Sequence, residues 1–432
     1  MEHIVIIGNG ISGVTAARHI RKLSDKKITI ISSETAHFFS RTALMYIYMG
    51  HMKYEHTKPY EDYFWKKNRI ELKQGHVKNI LATQKELLFS NGEKIKYDKL
   101  IIAVGSKPNK FGWPGQDLKG VHGMYSKQDL DAIEETAPNK TLCKRVVIVG
   151  GGLIGIELAE MLSSRNIPVT FLVREESFWG SVLPVGESEM LNRHIKNHHI
   201  DLRLGTNLKE ILSDENGKVR GVVIEETGEE LACDMVGLTA GVSPNIDFLK
   251  ESGIDLGRGV KVNRFLETNI DDIYAIGDCA EQHQPIGNRR PIEAVWYTGR
   301  MMGETVAQTI CGNPLEYKPG HWFNSAKFFD IEYQTYGWVF AKKKDSEEHF
   351  HWKHEDDTKC ITVAFEKDSS LFTGINTFGL RMRHEIFDQW LSEKRDVHFV
   401  MENLSKANFD PEFYRKFEPQ IAEAFKNKTV SV

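Results

Sequence analysis

The chain has 432 residues, 41% of them hydrophobic and 27% charged, with a formal net charge of −4. That length suggests about three domains. The composition argues against a disordered, collagen-like or repeat-array protein, and the charge offers no bulk attraction to nucleic acid. Five cysteines, at 143, 233, 279, 311 and 360, form no C-x-x-C or C-x4-C pair, which disfavours a disulfide scaffold, a zinc ribbon and a dithiol redox centre. No apolar run approaches the ~18 residues of a membrane span. Met1-Glu2-His3 leads directly into a strand without a signal-peptide pattern. A reduced, cytoplasmic chain is expected, with no transmembrane segment and no nucleic-acid partner.

Residues 4–7, Ile-Val-Ile-Ile, predict a strand, and Gly8-Asn9-Gly10-Ile11-Ser12-Gly13 follows. A helix is expected to about Lys22, then a second strand over 28–31, and then Glu34, 21 residues after Gly13. This is strand, G-x-G-x-x-G, helix, strand, acid. Gly8 permits the tight turn, Gly10 lets a pyrophosphate approach the backbone, and Gly13 lets the helix pack closely on the strand. The helix start supplies N–H donors at Ile11 and Ser12, and Glu34 can accept both ribose hydroxyls of an adenosine. The alternative is a chance glycine loop, which the strand, helix and acid around it disfavour.

Residues 97–108 predict a strand ending in a glycine turn, with Ala103 and Gly105 at its end. A second fingerprint, Gly150-Gly151-Gly152-Leu153-Ile154-Gly155, follows the strand 146–149 and precedes a helix over 156–165 and a strand over 169–173. Two fingerprints imply two dinucleotides, and therefore electron transfer between cofactors. Residues 234–245 repeat the strand-to-glycine form around Gly241, and 268–280 end in Ile276-Gly277-Asp278-Cys279.

These five motifs, spanning residue 4 to about 310, resemble in kind and order the two-dinucleotide flavoproteins of the pyridine nucleotide–disulfide oxidoreductase superfamily. The resemblance implies an α/β fold with two Rossmann-like domains for FAD and NAD(P)H plus a C-terminal α+β domain. The FAD domain, 1–112 and 241–318, is split by an NAD(P)H domain, 113–240, and 319–432 form the third. Trp113-Pro114-Gly115 suits the first boundary. By resemblance, the first fingerprint and Glu34 hold the ADP half of FAD. Asp278 bonds the ribityl chain, with Gly277 allowing close approach. Ala103 and Gly105 lie at the crossover beside FAD, and the chain returns to the FAD domain at Gly241. The second fingerprint takes NADH or NADPH. Glu157 is the catalytic candidate, as a gating or nicotinamide-positioning residue; otherwise it is a helix carboxylate complementing the dipole.

Disulfide reductases of the superfamily carry a cysteine pair, and other branches a single cysteine, where this chain has Ser40-Arg41-Thr42-Ala43-Leu44. Thr42 cannot cycle through thiolate chemistry. The segment is similar instead to that of rubredoxin and ferredoxin reductases and of the flavoprotein segment of assimilatory nitrite reductase. Arg41 then pairs with an FAD phosphate, unless it is a surface arginine. Where those reductases often place a lysine near flavin N5, this chain has Met45 or Tyr46. The strand end at Val173 lacks the acid typical of NADH enzymes. Arg174 suits a 2′-phosphate, which Glu175 or Glu176 would repel; the balance tilts to NADPH and the donor stays open.

Alternating runs at 321–338, 361–365 and 371–377 predict a small antiparallel sheet followed by helices. Trp322, Phe323, Trp296 and Tyr297 are candidates to screen the flavin, with core packing as the alternative. His349, His351 and His354 do not share one strand face, so no metal is expected there. Phe413, Phe417, Ile421 and Phe425 form one stripe of an amphipathic tail helix. It is expected to pack on the body, with docking to a partner or membrane surface as the alternative. The implied activity is an NAD(P)H-dependent FAD reductase that passes electrons to an external small redox protein such as rubredoxin or ferredoxin. The alternatives are a hydrogen-peroxide-forming NAD(P)H oxidase and a redox-sensing interaction protein similar to apoptosis-inducing factor. Homodimer formation is left open.

Overall fold

Strands as uniformly apolar as Ile4-Val5-Ile6-Ile7 must be covered on both faces, which is the environment of a parallel sheet with helical crossovers. The computed structural model describes residues 1–409, Glu412 and 415–429, and the chain divides into two compact units. The first comprises Met1–Asn109, Gly123–Glu135 and Gly241–Pro319; the second comprises Lys110–His122, Thr136–Ala240 and Gly320–Val432.

In the first unit a five-stranded parallel sheet runs in the order Ile273–Ala275, Lys99–Ile102, His3–Ile7, Lys27–Ser32, Ile70–Gln74. The first strand of the sequence is central, with Ile4 opposite both Ile28 and Lys99. Ile4, Val5 and Ile6 are fully buried, and each such side chain contributes about 1.5–3 kcal/mol. The helix Ile11–Leu23 follows the first glycine loop. The helix Trp296–Ile310 lies against it, because Gly299 and Gly303 leave no side chain between the backbones: a Cβ at either would stand 2.6 Å from an oxygen of Ser12. A three-stranded antiparallel sheet, Val77–Leu81, Glu86–Phe89 and Lys94–Lys96, and the pair Ser106–Pro108 with Val242–Pro244 complete this unit's principal sheets.

The second unit repeats the parallel plan in the order Asp201–Arg203, Val169–Leu172, Val146–Val149, Met235–Leu238, Val121–His122, with the helix Leu153–Ser164 after the second glycine loop. A three-stranded sheet, Leu208–Ser213, Val219–Ile224 and Glu230–Ala232, packs beside it. The C-terminal part is an antiparallel sheet in the order Phe323–Phe328, Ile331–Gly337, Phe372–Phe378, Cys360–Glu366, Glu347–Lys353. The helices His384–Ser392, Val397–Glu402 and Glu418–Thr429 follow it. An ion pair, Lys327 to Glu160 at 2.6 Å, ties the sheet to the helix Leu153–Ser164. Asn376 also donates to Glu187 at 2.9 Å, on the helix Val185–Asn197.

The tail helix begins at Glu418, later than the apolar stripe suggests, and Phe417, Ile421 and Phe425 are buried in the C-terminal core; Phe413 lies outside the described residues. His354 is also buried, against Phe417 at 5.0 Å. Among the described residues no helix is long and apolar enough to cross a membrane.

Candidate functional site

Both glycine loops are built to leave one side of the backbone bare. Gly8 has φ +115°, and a Cβ there would overlap the Ala103 carbonyl oxygen; a Cβ at Gly13 would overlap the carbonyl of Gly8. Gly10 differs, because its missing Cβ points at open space. It opens the helix Ile11–Leu23 with no side-chain cap, and the first helical hydrogen bond runs from Val14 N–H to the Gly10 carbonyl. The amides of Ile11, Ser12 and Gly13 therefore precede the ladder, at the positive end of the dipole. In the second unit Gly150 has φ +117° and its Cβ would meet the Thr239 carbonyl at 2.8 Å. A Cβ at Gly155 would meet the Gly150 carbonyl at 2.7 Å, and Gly152 again faces open space. The uncapped helix beginning at Leu153 and Ile154 has its first bond from Ile156 N–H to Gly152. Each loop is a cradle that a methyl group would fill, and each fits a pyrophosphate.

Within the first unit the polar residues form one connected chain. Arg41 donates from Nη1 and Nη2 to the two oxygens of Glu34, at 2.9 and 2.6 Å, and from Nη1 to the Tyr125 carbonyl at 2.6 Å. Its guanidinium lies over the rings of Tyr125 and Phe39, 4.7 and 5.2 Å from their centroids. The Tyr125 hydroxyl accepts from Ser106 N–H at 3.0 Å, and Ser106 Oγ donates to Asp278 Oδ2 at 3.1 Å. Burial raises the Asp278 pKa against the opposing pull of Ser106 and Arg41, and pushes the Tyr125 phenol up to about 12. For Arg41, burial opposes the charge, but the Glu34 carboxylate more than offsets it and its pKa rises.

Glu34 and Arg41, expected at a ribose and a phosphate, thus meet at one node. Thr42 is exposed on the turn Arg41–Ala43, its hydroxyl 3.3 Å from that of Ser40. Gly277 has φ +73°, and a Cβ would overlap the Ser12 hydroxyl. A Cβ at Gly105 would stand 3.1 Å from the Tyr125 hydroxyl, Ala103 is buried, and the Gly241 carbonyl accepts from Asn109 N–H at 3.0 Å. Trp296 is 37% exposed, with Tyr297 edge-on at 5.5 Å and Arg300 at 6.0 Å. Met45 is buried and Tyr46 stacks on His51.

Tyr125 carried no motif in the sequence, and Ser106, within the 97–108 stretch, was not singled out there. One signal was legible: Ser126 and Asp129 form a capping box, each side chain accepting from the other's amide at 3.0 and 2.8 Å. It starts the helix Lys127–Thr136 and aims the Lys127 amide at Glu34, 2.9 Å away.

In the second unit Glu157 stands half-buried on the helix Leu153–Ser164, and burial, with the charge of Glu160, raises its pKa to about 7. Groups poised in this way are common at functional sites. Val173 is buried, while Arg174 is exposed and donates to Glu175 at 2.9 Å. Trp322 stacks on Trp338 at 5.4 Å, and Phe323 lies tilted against His384 at 4.2 Å. The five cysteines are free. Burial pushes Cys143 up to about 11 and Cys233 and Cys279 to about 12, so none of these three offers a thiolate at neutral pH.

Residues 2–306 match the family model for pyridine nucleotide-disulphide oxidoreductases. The chain is 33% identical over 288 residues to a rubredoxin-NAD(+) reductase of Acinetobacter baylyi, covering 65% of this chain and 72% of that one. It is 30% identical over 342 residues to the ferredoxin reductase subunit of a 5,5′-dehydrodivanillate O-demethylase of Sphingobium, covering 78% and 82%. Among solved structures, an NAD-dependent persulfide reductase from A. fulgidus superposes with a TM-score of 0.84 at 22% identity, covering 99% of this chain and 84% of that one. That likeness concerns the fold.

Proposed function

This chain belongs to the pyridine nucleotide-disulphide oxidoreductase family, and we propose that it carries electrons from NAD(P)H through FAD to a small external redox protein of the rubredoxin or ferredoxin kind. It is an FAD flavoprotein and an NAD(P)H oxidoreductase. The observation that carries the proposal is the pair of open glycine cradles without a reactive thiol beside them. Thr42 occupies the turn after Ser40, and Cys279, next to Asp278, is fully buried. With no cysteine to take the electrons internally, the acceptor comes from outside. The names of the two sequence relatives, one acting on rubredoxin and one serving as a ferredoxin reductase, point the same way.

Bound FAD supplies two-electron acceptance from a nicotinamide and stepwise release to one-electron carriers. The chain's own residues hold and orient. The Ile11–Gly13 amides would donate to the FAD pyrophosphate, Glu34 would accept from the adenosine ribose, and Arg41, paired with Glu34, would hold that carboxylate in place. Asp278 accepts from the ribityl hydroxyls, Ala103, Gly105 and Gly241 keep side chains out of the cofactor's path, and Trp296 screens its edge. Gly152 and the amides of Leu153, Ile154 and Gly155 take the second pyrophosphate. Glu157, about half protonated at pH 7, positions the nicotinamide, and Arg174 selects the 2′-phosphate of NADPH when it leaves Glu175.

Anaerobic stopped-flow with NADH and with NADPH tests this, followed by addition of oxidised rubredoxin or ferredoxin. Rapid bleaching of the flavin and multiple turnovers on the iron–sulfur protein are expected, faster with NADPH. Slow reduction to a long-lived charge-transfer complex with poor turnover on every acceptor would indicate a redox sensor. Turnover on oxygen alone, with peroxide accumulating, would indicate an oxidase.

A further inference from the structure

We propose that His194, His198 and Asp330 form a transition-metal site, with Zn2+ the best-matched ion, separate from both glycine cradles. The donors come from two elements of the second unit. His194 lies in the last turn of the helix Val185–Asn197 and His198 caps it, so the i, i+4 spacing puts both imidazoles on one face. Asp330 lies in the two-residue turn between the strands Phe323–Phe328 and Ile331–Gly337.

The side-chain donor atoms all lie within 4.8 Å of one another. Asp330 Oδ1 stands 2.9 Å from His194 Nε2 and 3.1 Å from His198 Nε2. A tetrahedral zinc ion with bonds of 2.0–2.1 Å requires donor separations of about 3.3 Å, so small side-chain rotations suffice.

The cluster is more than an ion pair. One carboxylate oxygen serves two imidazoles at once, 3.1 Å from His198 Nε2 and 2.9 Å from His194 Nε2. His194 is 92% buried, and its Nε2 makes no aligned hydrogen bond although Asp330 Oδ1 stands 2.9 Å away. Buried polar atoms are rarely left so; a cation between the three donors engages both ring nitrogens at once. Both rings pack on aromatic neighbours. His198 stacks on Phe329 at 4.1 Å and 10°, and His194 stands edge-on to His198 at 4.7 Å. His194 also hydrogen-bonds the Phe328 backbone, the kind of outer contact that orients a metal-ligating imidazole. Two imidazoles and one carboxylate suit zinc and its transition-metal neighbours, whereas magnesium and calcium prefer all-oxygen sets. The exposed side of Asp330 leaves the fourth position to water. The ion would fasten the nucleotide-binding part of this unit to the first hairpin of the C-terminal sheet.

The test is titration of the full-length, FAD-loaded, chelator-stripped protein with Zn2+ alone by calorimetry, and with Co2+ followed by visible absorption. One equivalent of Zn2+ is expected, with Co2+ giving the intense bands of a tetrahedral site. Asp330→Asn, at an exposed position, and His198→Gln, at a partly exposed one, should each weaken binding by more than about tenfold, the lower bound for loss of an outer contact alone, and His283→Gln, far along the chain and exposed, should leave it unchanged. Retained flavin absorbance and unfolding temperature verify the fold of each variant; should one misfold, the other carries the comparison. No uptake by the unaltered protein, or equal affinity in the unaltered protein and a folded cluster variant, overturns the proposal.

Discussion

Asp278 lies in the turn Gly277–Cys279 after the strand Ile273–Ala275, with its carboxylate held by Ser106 and raised in pKa by desolvation. An acceptor kept in such a place is costly unless donors reach it, and ribityl hydroxyls are donors of the right kind. Asp278→Ala removes the acceptor and leaves the Gly277 turn intact. The expected product is folded protein whose FAD affinity has fallen about 10–100-fold, the value of one hydrogen bond to a charged group. The flavin-to-protein absorbance ratio after dialysis measures it, and a fully yellow variant would remove Asp278 from the site. At this scale the sequence was uneven. Gly8, Gly10 and Gly13 were legible because a backbone turn restricts residue type at fixed spacing. Tyr125 and Ser106 were not, because each acts through one hydrogen bond made possible by distant chain segments, and neither contact leaves a pattern in neighbouring residues. The meeting of Arg41 with Glu34 was equally hidden: both residues were noticed, but for separate partners.

Among the elements, the helix Val185–Asn197 was the least predictable. It carries no fingerprint, and Glu187 in its first turn reads as an ordinary surface acid, yet it is fully buried against the C-terminal sheet beside Asn376 and Thr362. The sheet itself was legible, since alternation along 361–365 and 371–377 marks strands whatever they pack on. Burial raises Glu187 from 4.5 to about 7, and Asn376 and Thr362 pull the value back only in part. The folded state therefore holds a proton that the unfolded state releases between these pH values. Stability falls as pH rises from about 4.5 to about 7 and is level again above, with a total loss of about 3 kcal/mol from this group. Glu187→Gln keeps an acceptor for Asn376 and cannot ionise. Its stability should equal that of the unaltered chain near pH 4.5 and exceed it by up to about 3 kcal/mol above pH 7. Denaturant unfolding of both proteins across this range measures the difference, in which the other titrating groups cancel. A difference that stays constant with pH would show that Glu187 does not ionise in that window.

For the whole molecule, the question is whether the two cradles act independently. They sit in different compact units, with the same strand–loop–helix plan and the same bare position at Gly10 and Gly152. That duplication was legible because each copy is local; which unit a motif-free stretch such as 123–135 joins was not, because only tertiary contacts decide it. Gly152 has φ −120° and ψ −175°, an extended conformation open to any residue, and a methyl group there meets nothing within 4 Å. Gly152→Ala should therefore fold normally while its methyl occupies the line of approach of the second pyrophosphate. The first cradle is untouched, so the variant should retain its FAD and be bleached by dithionite as fast as the unaltered chain. Bleaching by subsaturating NAD(P)H should slow by about tenfold, equivalent to 1.4 kcal/mol of lost binding. Gly10→Ala should show the reverse pattern, folded but poor in flavin. Unchanged NAD(P)H reduction in Gly152→Ala would remove the second cradle from donor binding. Loss of FAD from the same variant would show that the two sites are coupled through the fold, since the substituted residue lies in the unit that does not contain Gly10.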